Sequence, residues 1–168
     1  PFALGLAVSF AFWVSRGAIG YEVSRADVQA ELGRRLEDDR LALYYDKSIP
    51  EAEAKALLEG HRFRLEQLEA RLGRRYPRTI TSYVYGSPDQ KRRLMGAANV
   101  YIAKPWLEEI HLNRIAFDSS VIRHELGHVV LGLMAQQAHG AQRLAQDLRV
   151  LGHAEAMQAA VGQERAVM

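Results

Sequence analysis

The sequence predicts an α+β fold in which a small, mostly antiparallel sheet packs on one functional helix, with a long helix preceding it. Three observations carry that expectation. Apolar residues recur at helical spacing from Ala54 to Leu72, and short β-branched and aromatic runs lie at 41–45 and 78–85. The pentapeptide His124-Glu125-Leu126-Gly127-His128 sits inside an apolar segment that a helix would bury.

Composition narrows the class. A chain of 168 residues, 48 % hydrophobic and 25 % charged, suits one globular unit with a modest core plus an extra segment. The net charge is +2, but acidic and basic residues alternate through Glu22 to Arg75, so they read as a solvated face and no nucleic-acid partner is expected. Zero cysteines remove disulfides, thiolate metal sites and cysteine nucleophiles together. Any metal must be held by histidine and carboxylate.

Phe2 to Val14 is almost uninterrupted apolar sequence ending at Ser15-Arg16. Alone it is too short for a hydrocarbon core of about 30 Å at about 1.5 Å per residue. Residues 1–20 are therefore expected to be the end of a longer transmembrane or signal-anchor segment, with a signal-peptide core or a buried N-terminal helix as rivals. Membrane localisation is the matching expectation, and the single flanking Arg16 assigns no side.

Residues 21–40 are expected as a connecting helix. Ser24 and Asp27 mark its start, and Val28, Leu32 and Leu36 recur at four-residue spacing up to Glu37-Asp38-Asp39. Leu41 to Tyr45 reads as a strand. Ser48-Ile49-Pro50-Glu51 supplies a capping box with an early proline for the longest helix, whose stripe runs Ala54, Leu58, His61, Leu65, Leu68, Leu72 until Gly73 and Pro77 end it. His61 on this stripe reads as a packed side chain rather than a ligand. Arg78 to Tyr85 is a strand closed by Gly86-Ser87-Pro88, and Asp89 to Leu94 a short basic turn or helix. Two more strands, Val100 to Ala103 and Glu108 to Leu112, flank Lys104-Pro105-Trp106, where the proline calls for an edge or a bend. Asp118, Ser119 and Ser120 offer an N-cap for the helix with the pentapeptide, and Gln142 to Val150 and His153 to Val161 read as further helices. No internal repeat or linker interrupts 41–128.

Positions i and i+4 of a helix lie one above the other, so His124 and His128 can reach one metal ion while Glu125 stands beside it without ligating. A hydrolytic zinc site takes three protein ligands and keeps one position open. The metzincin pattern would need glycine three residues and histidine six residues after His128, but Leu131 and Met134 stand there. A carboxylate from a following helix leaves Asp147, Glu155 and Glu164, with His139 in an expected loop and His153 at an expected helix start as substitutes. Glu155 is favoured because it lies one turn into a helix of small residues (Ala154, Ala156, Ala159, Ala160) that can approach closely.

The order strand, long helix, strand, Ser-Pro-Asp turn, two short strands and a helix reading VIRHELGHVV resembles the peptidase MA-like gluzincin domains of bacterial proteins, many of them membrane-attached. The resemblance covers about Leu41 to Val161, and its specific motif is HELGH. It implies a zincin-like metallopeptidase domain over 41–168, Zn2+ as cofactor, Glu125 as general base, and a third ligand at Glu155, whose Glu155-Ala156-Met157-Gln158-Ala159 stands for the family's Glu-Gly-x-Ala context with Ala156 in place of glycine and the alanine one residue later. It implies a membrane-tethered zinc endopeptidase acting on a peptide or protein substrate, laid along Glu108 to Leu112 as the candidate edge strand. His111 there is a weaker candidate oxyanion donor, and Tyr83, Tyr85 and Tyr101 read as core. The alternative is a catalytically inactive zincin-like binding or sensing module at a membrane, and hydrolysis of another amide, such as one in the cell wall, is a third reading.

Overall fold

The computed structural model of the chain describes residues 2–15, 23–140 and 142. Its contacts divide the chain into two compact units, Pro1–Val130 and Leu131–Met168. In the first, helix α1 (Phe2–Ser15) exposes Leu4, Leu6, Val8, Phe10, Trp13 and Val14. Among the described residues no helix is long and apolar enough to cross a membrane.

Helix α2 (Arg25–Leu32) begins with the anticipated capping box, Ser24 Oγ accepting from the Asp27 amide and the Asp27 carboxylate accepting from the Ser24 amide. It stops earlier than the spacing of Leu36 predicted. Gly33 adopts φ 73° as the left-handed cap, and the chain turns directly into strand β1 (Gly33–Glu37). β1 pairs antiparallel with β2 (Leu41–Asp46), so residues read as the end of a connecting helix belong to the sheet. Glycine outweighed the apolar repeat because its freedom at positive φ makes it the favoured helix stop.

Helix α3 (Glu51–Leu72) ends at Gly73 as expected, but its start differs. Pro50 is the N-cap and no side chain caps it; the Ser48 hydroxyl donates instead to Asp46 Oδ1 at 2.5 Å. Then come β3 (Ile80–Tyr85), α4 (Pro88–Met95, capped by Ser87), β4 (Ile102–Lys104), a single 3-10 turn at Pro105–Leu107, β5 (Glu109–Asn113) and α5, which runs over 120–140. Ser119 caps α5 by accepting from the Val121 amide.

The five strands lie in the order β1-β2-β3-β5-β4. The expectation of a mostly antiparallel sheet is corrected: β2–β3 and β3–β5 are parallel, and only the two outer pairings are antiparallel. The cause is the crossover. The long α3 between β2 and β3 returns the chain to the end it started from, and the connection through α4 and β4 does the same between β3 and β5, so each of these pairs is parallel. The α+β class holds, with a mixed sheet.

Register sorts the two faces. Leu43, Ser82 and Ile110 align across the centre, as do Tyr45, Val84 and Leu112, and these lie on the α3 side, where Leu57, His61 and Leu65 are buried. Tyr83 and His111 point the other way, and Tyr83 and Tyr85 pack with Val28 and Leu32 of α2.

Gly60 and Arg64 of α3 fix the turn that leads into α5. A Cβ on Gly60 would come within 2.5 Å of the Phe117 carbonyl oxygen, so this glycine lets the turn lie directly on α3. Arg64 donates to the neighbouring Asp118 carbonyl at 3.2 Å. Gly60→Ala, which improves helix propensity by about 1 kcal/mol, is expected to destabilise instead, by about 1–3 kcal/mol, because a backbone carbonyl cannot swing aside; urea denaturation of the pair checks the sign.

His61 is buried, donates from Nδ1 to the Leu57 carbonyl at 2.6 Å, and accepts at Nε2 from the Ser82 hydroxyl at 3.0 Å. That pairing needs the neutral ring. Burial pushes its pKa from 6.5 down to about 4, so on acidification the unfolded chain takes the proton first and stability is lost between those values. Stability measured from pH 6.5 to pH 4 is expected to fall by about 3 kcal/mol more in the native chain than in His61→Leu.

Candidate functional site

Helix α5 serves two environments with one period. Ile122, Leu126, Val129 and Val130 are buried, while His124 and His128 are exposed on another face. The two imidazoles meet edge to face, with Nε2 to Nε2 at 3.1 Å. Two nitrogens each about 2.0–2.1 Å from one zinc ion lie about 3.3 Å apart at the tetrahedral angle, so the pair is within about 0.2 Å of the separation of two ligands of a single ion. Glu125, between them in sequence, is 6 % exposed and lines an open cleft of about 490 Å3 with His124.

The far wall of that cleft is Asn99, Val100 and Tyr101, which lead into β4. Two side chains hold this wall. Asn113 Nδ2 donates to the Ala98 carbonyl at 2.9 Å, and the Lys91 ammonium donates to the carbonyls of Val100 and, at 3.0 Å, His111. Lys91 is fully buried and lies near the faces of Tyr85 and Tyr101, its nitrogen 5.9 and 5.6 Å from the ring centroids. Burial brings its pKa down to about 8, against the opposing pull of the Glu125 carboxylate. The sequence hid this residue, because Lys91-Arg92-Arg93 reads as three solvated charges.

The expected substrate edge is corrected. Glu108 to Leu112 is not an edge: β5 is hydrogen-bonded to β3 on one side and β4 on the other, and the sheet ends at β4. The turn at Pro105 folds β4 back outside β5, so the proline marked the bend next to the edge strand. His111 is therefore not an exposed edge residue facing the cleft. It is buried on the α2 side, stacked on Tyr83 with ring centroids 4.8 Å apart, and accepts or donates at Nδ1 with the Tyr85 hydroxyl at 3.0 Å. Tyr83 and Tyr85 are core as expected, whereas Tyr101 is 38 % exposed and lines the cleft.

The favoured third ligand Glu155 lies outside the described residues, as do its rivals Asp147, His153 and Glu164. His139 is described: it is helical, not in a loop, and its Nδ1 donates to the Ala135 carbonyl at 2.8 Å. Among the described residues no group of three or more metal-ligating side chains converges. No family model, no curated protein and no solved structure matches the chain.

The Lys91 environment is testable through pH. Its folded pKa lies below the unfolded value of 10.5, so the folded chain loses this proton first and stability rises between about pH 8 and that value. Native protein is expected to gain stability relative to Lys91→Met when denaturation at pH 7 is repeated at pH 10; a constant difference would contradict the assignment.

Proposed function

We propose that the chain is a zinc-dependent endopeptidase of the gluzincin type, and one observation supports this above the others: the 3.1 Å convergence of His124 Nε2 and His128 Nε2 beside the buried Glu125 carboxylate. In this reading His124 and His128 hold Zn2+ through Nε2, and Glu155 completes the protein ligands. Bound zinc supplies Lewis acidity, lowering the pKa of a water toward about 7 and polarising a carbonyl. The chain supplies the rest.

Glu125 acts as general base, taking a proton from the attacking water and delivering it to the leaving amine nitrogen as the peptide bond breaks. Its position on the cleft wall favours that role over ligation. Among the described residues β4 is an edge strand, and Asn99 to Tyr101 continue that edge into the cleft, so an extended peptide can add as a further strand and bring its carbonyl past Glu125. Lys91 positions this wall by tying Val100 to β5.

The proposed setting is a membrane surface, supported by the exposed apolar helix α1. The function is tested by metal content and cleavage together. Native protein is expected to retain zinc stoichiometrically, and His124→Ala and His128→Ala to lose it. Glu125→Gln is expected to keep zinc but to cleave a casein or peptide-library substrate about 10²–10⁴-fold more slowly. Zinc retained after loss of both histidines would refute the site, and unimpaired cleavage by Glu125→Gln would refute the mechanism.

A further inference from the structure

The opposite face of the sheet holds a second cavity, of about 360 Å3, enclosed by α2, α4 and the β4–β5 hairpin. Its volume falls at the small end of ligand pockets, about 300–1,000 Å3. Five charged or titratable groups face it: Arg25, Tyr83, Lys104, Glu109 and His111. Glu109, 3 % exposed, is already satisfied at one oxygen, where Arg25 Nε sits at 2.6 Å and the Tyr83 hydroxyl donates at 3.2 Å. Burial raises the Tyr83 pKa to about 12, so that hydroxyl keeps its proton.

His111, also 3 % exposed, is not satisfied. When the Tyr85 hydroxyl donates to Nδ1, the ring proton sits on Nε2, and that atom has no hydrogen-bond partner although Glu109 Oε2 lies 3.4 Å away. Burial holds its pKa below 6.5, so the ring is neutral at pH 7. Lys104 projects from β4 on the same face, opposite Glu109, and forms no ion pair among the described residues. The cavity therefore carries one cation in excess, from Arg25 and Lys104 against Glu109, and one buried Nε2–H whose nearest acceptor, Glu109 Oε2, stands at a long 3.4 Å.

A buried donor whose one acceptor stands at 3.4 Å is poorly satisfied, and a second acceptor at ordinary distance would improve it. The remaining lining is apolar, and in it Leu94, Met95 and Ile102 are half-buried. We propose that this cavity binds a small monocarboxylate with a short apolar tail, its carboxylate between Lys104 and His111 Nε2 and its tail against Leu94, Met95 and Ile102. One excess positive charge suits a monoanion, the Glu109 carboxylate disfavours a dianion, and the two cations reject an amine. The site is separate from the His124–His128 cleft and needs no metal.

The test is calorimetric titration of the full chain at pH 7 with hexanoate, against acetate, 1-hexanol and hexylammonium. Hexanoate is expected to bind saturably and each comparator at least about ten-fold more weakly, since each lacks the tail, the charge or its sign. Lys104→Met, at a half-exposed strand position, is expected to weaken hexanoate at least about ten-fold while Lys104→Arg retains it. The nitrogen NMR signal of His111 Nε2 should shift with hexanoate and stay still with 1-hexanol. Absence of saturable hexanoate binding, equal affinity for 1-hexanol, or unchanged affinity in Lys104→Met would each overturn the proposal.

Discussion

The close approach of α3 to the turn at Phe117 sets the geometry on which the candidate centre depends. With no side chain at Gly60, the Phe117 carbonyl lies where a Cβ would stand, and Arg64 holds the next carbonyl at Asp118. Ser119 then caps α5, so its first turn starts at a defined place and rotation. From there the helical period does the remainder: one stripe is buried from Ile122 to Val130, and His124 and His128 project together from another. Shifting the start of α5 by one residue would turn the imidazoles by about 100°.

The opposite wall depends on polar groups rather than on packing. Lys91 and Asn113 reach backbone carbonyls on either side of Asn99, and a buried ammonium is tolerated because carbonyls and aromatic faces replace its water. The same layer continues through His111 and Glu109 to Arg25 at the start of α2. Two cavities of different chemistry thus flank the β4–β5 hairpin, one containing the motif and one containing an excess cation and an unpaired imidazole nitrogen.

Local signals in the sequence located most of the elements. The capping box at Ser24, the Gly73 stop of α3 and the bend at Pro105 have short-range causes and are present; the strand expected from 78 forms over 80–85, and of the α3 stripe Ala54, His61 and Leu65 are buried, with Leu57 in place of Leu58. Three expectations failed for reasons that are not local. Strand direction depends on the crossover made by α3, edge status on how β4 folds outside β5, and the helix reading of Leu36 lost to a left-handed Gly33 that allowed pairing with β2. Within the site, His124, Glu125 and His128 were legible because their relation is i to i+4. Lys91 was not, since its carbonyl partners Val100 and His111 come from other elements, and no spacing along the chain encodes them.

The central claim is that one metal ion is shared by the two imidazoles of α5. X-ray absorption at the zinc edge, on full-length protein loaded with one equivalent of zinc, measures this directly. A shared ion predicts two imidazole nitrogens at about 2.0–2.1 Å together with oxygen ligands, and loss of one imidazole contribution in His128→Ala. A spectrum with no imidazole scattering, or one unchanged by that substitution, would contradict it.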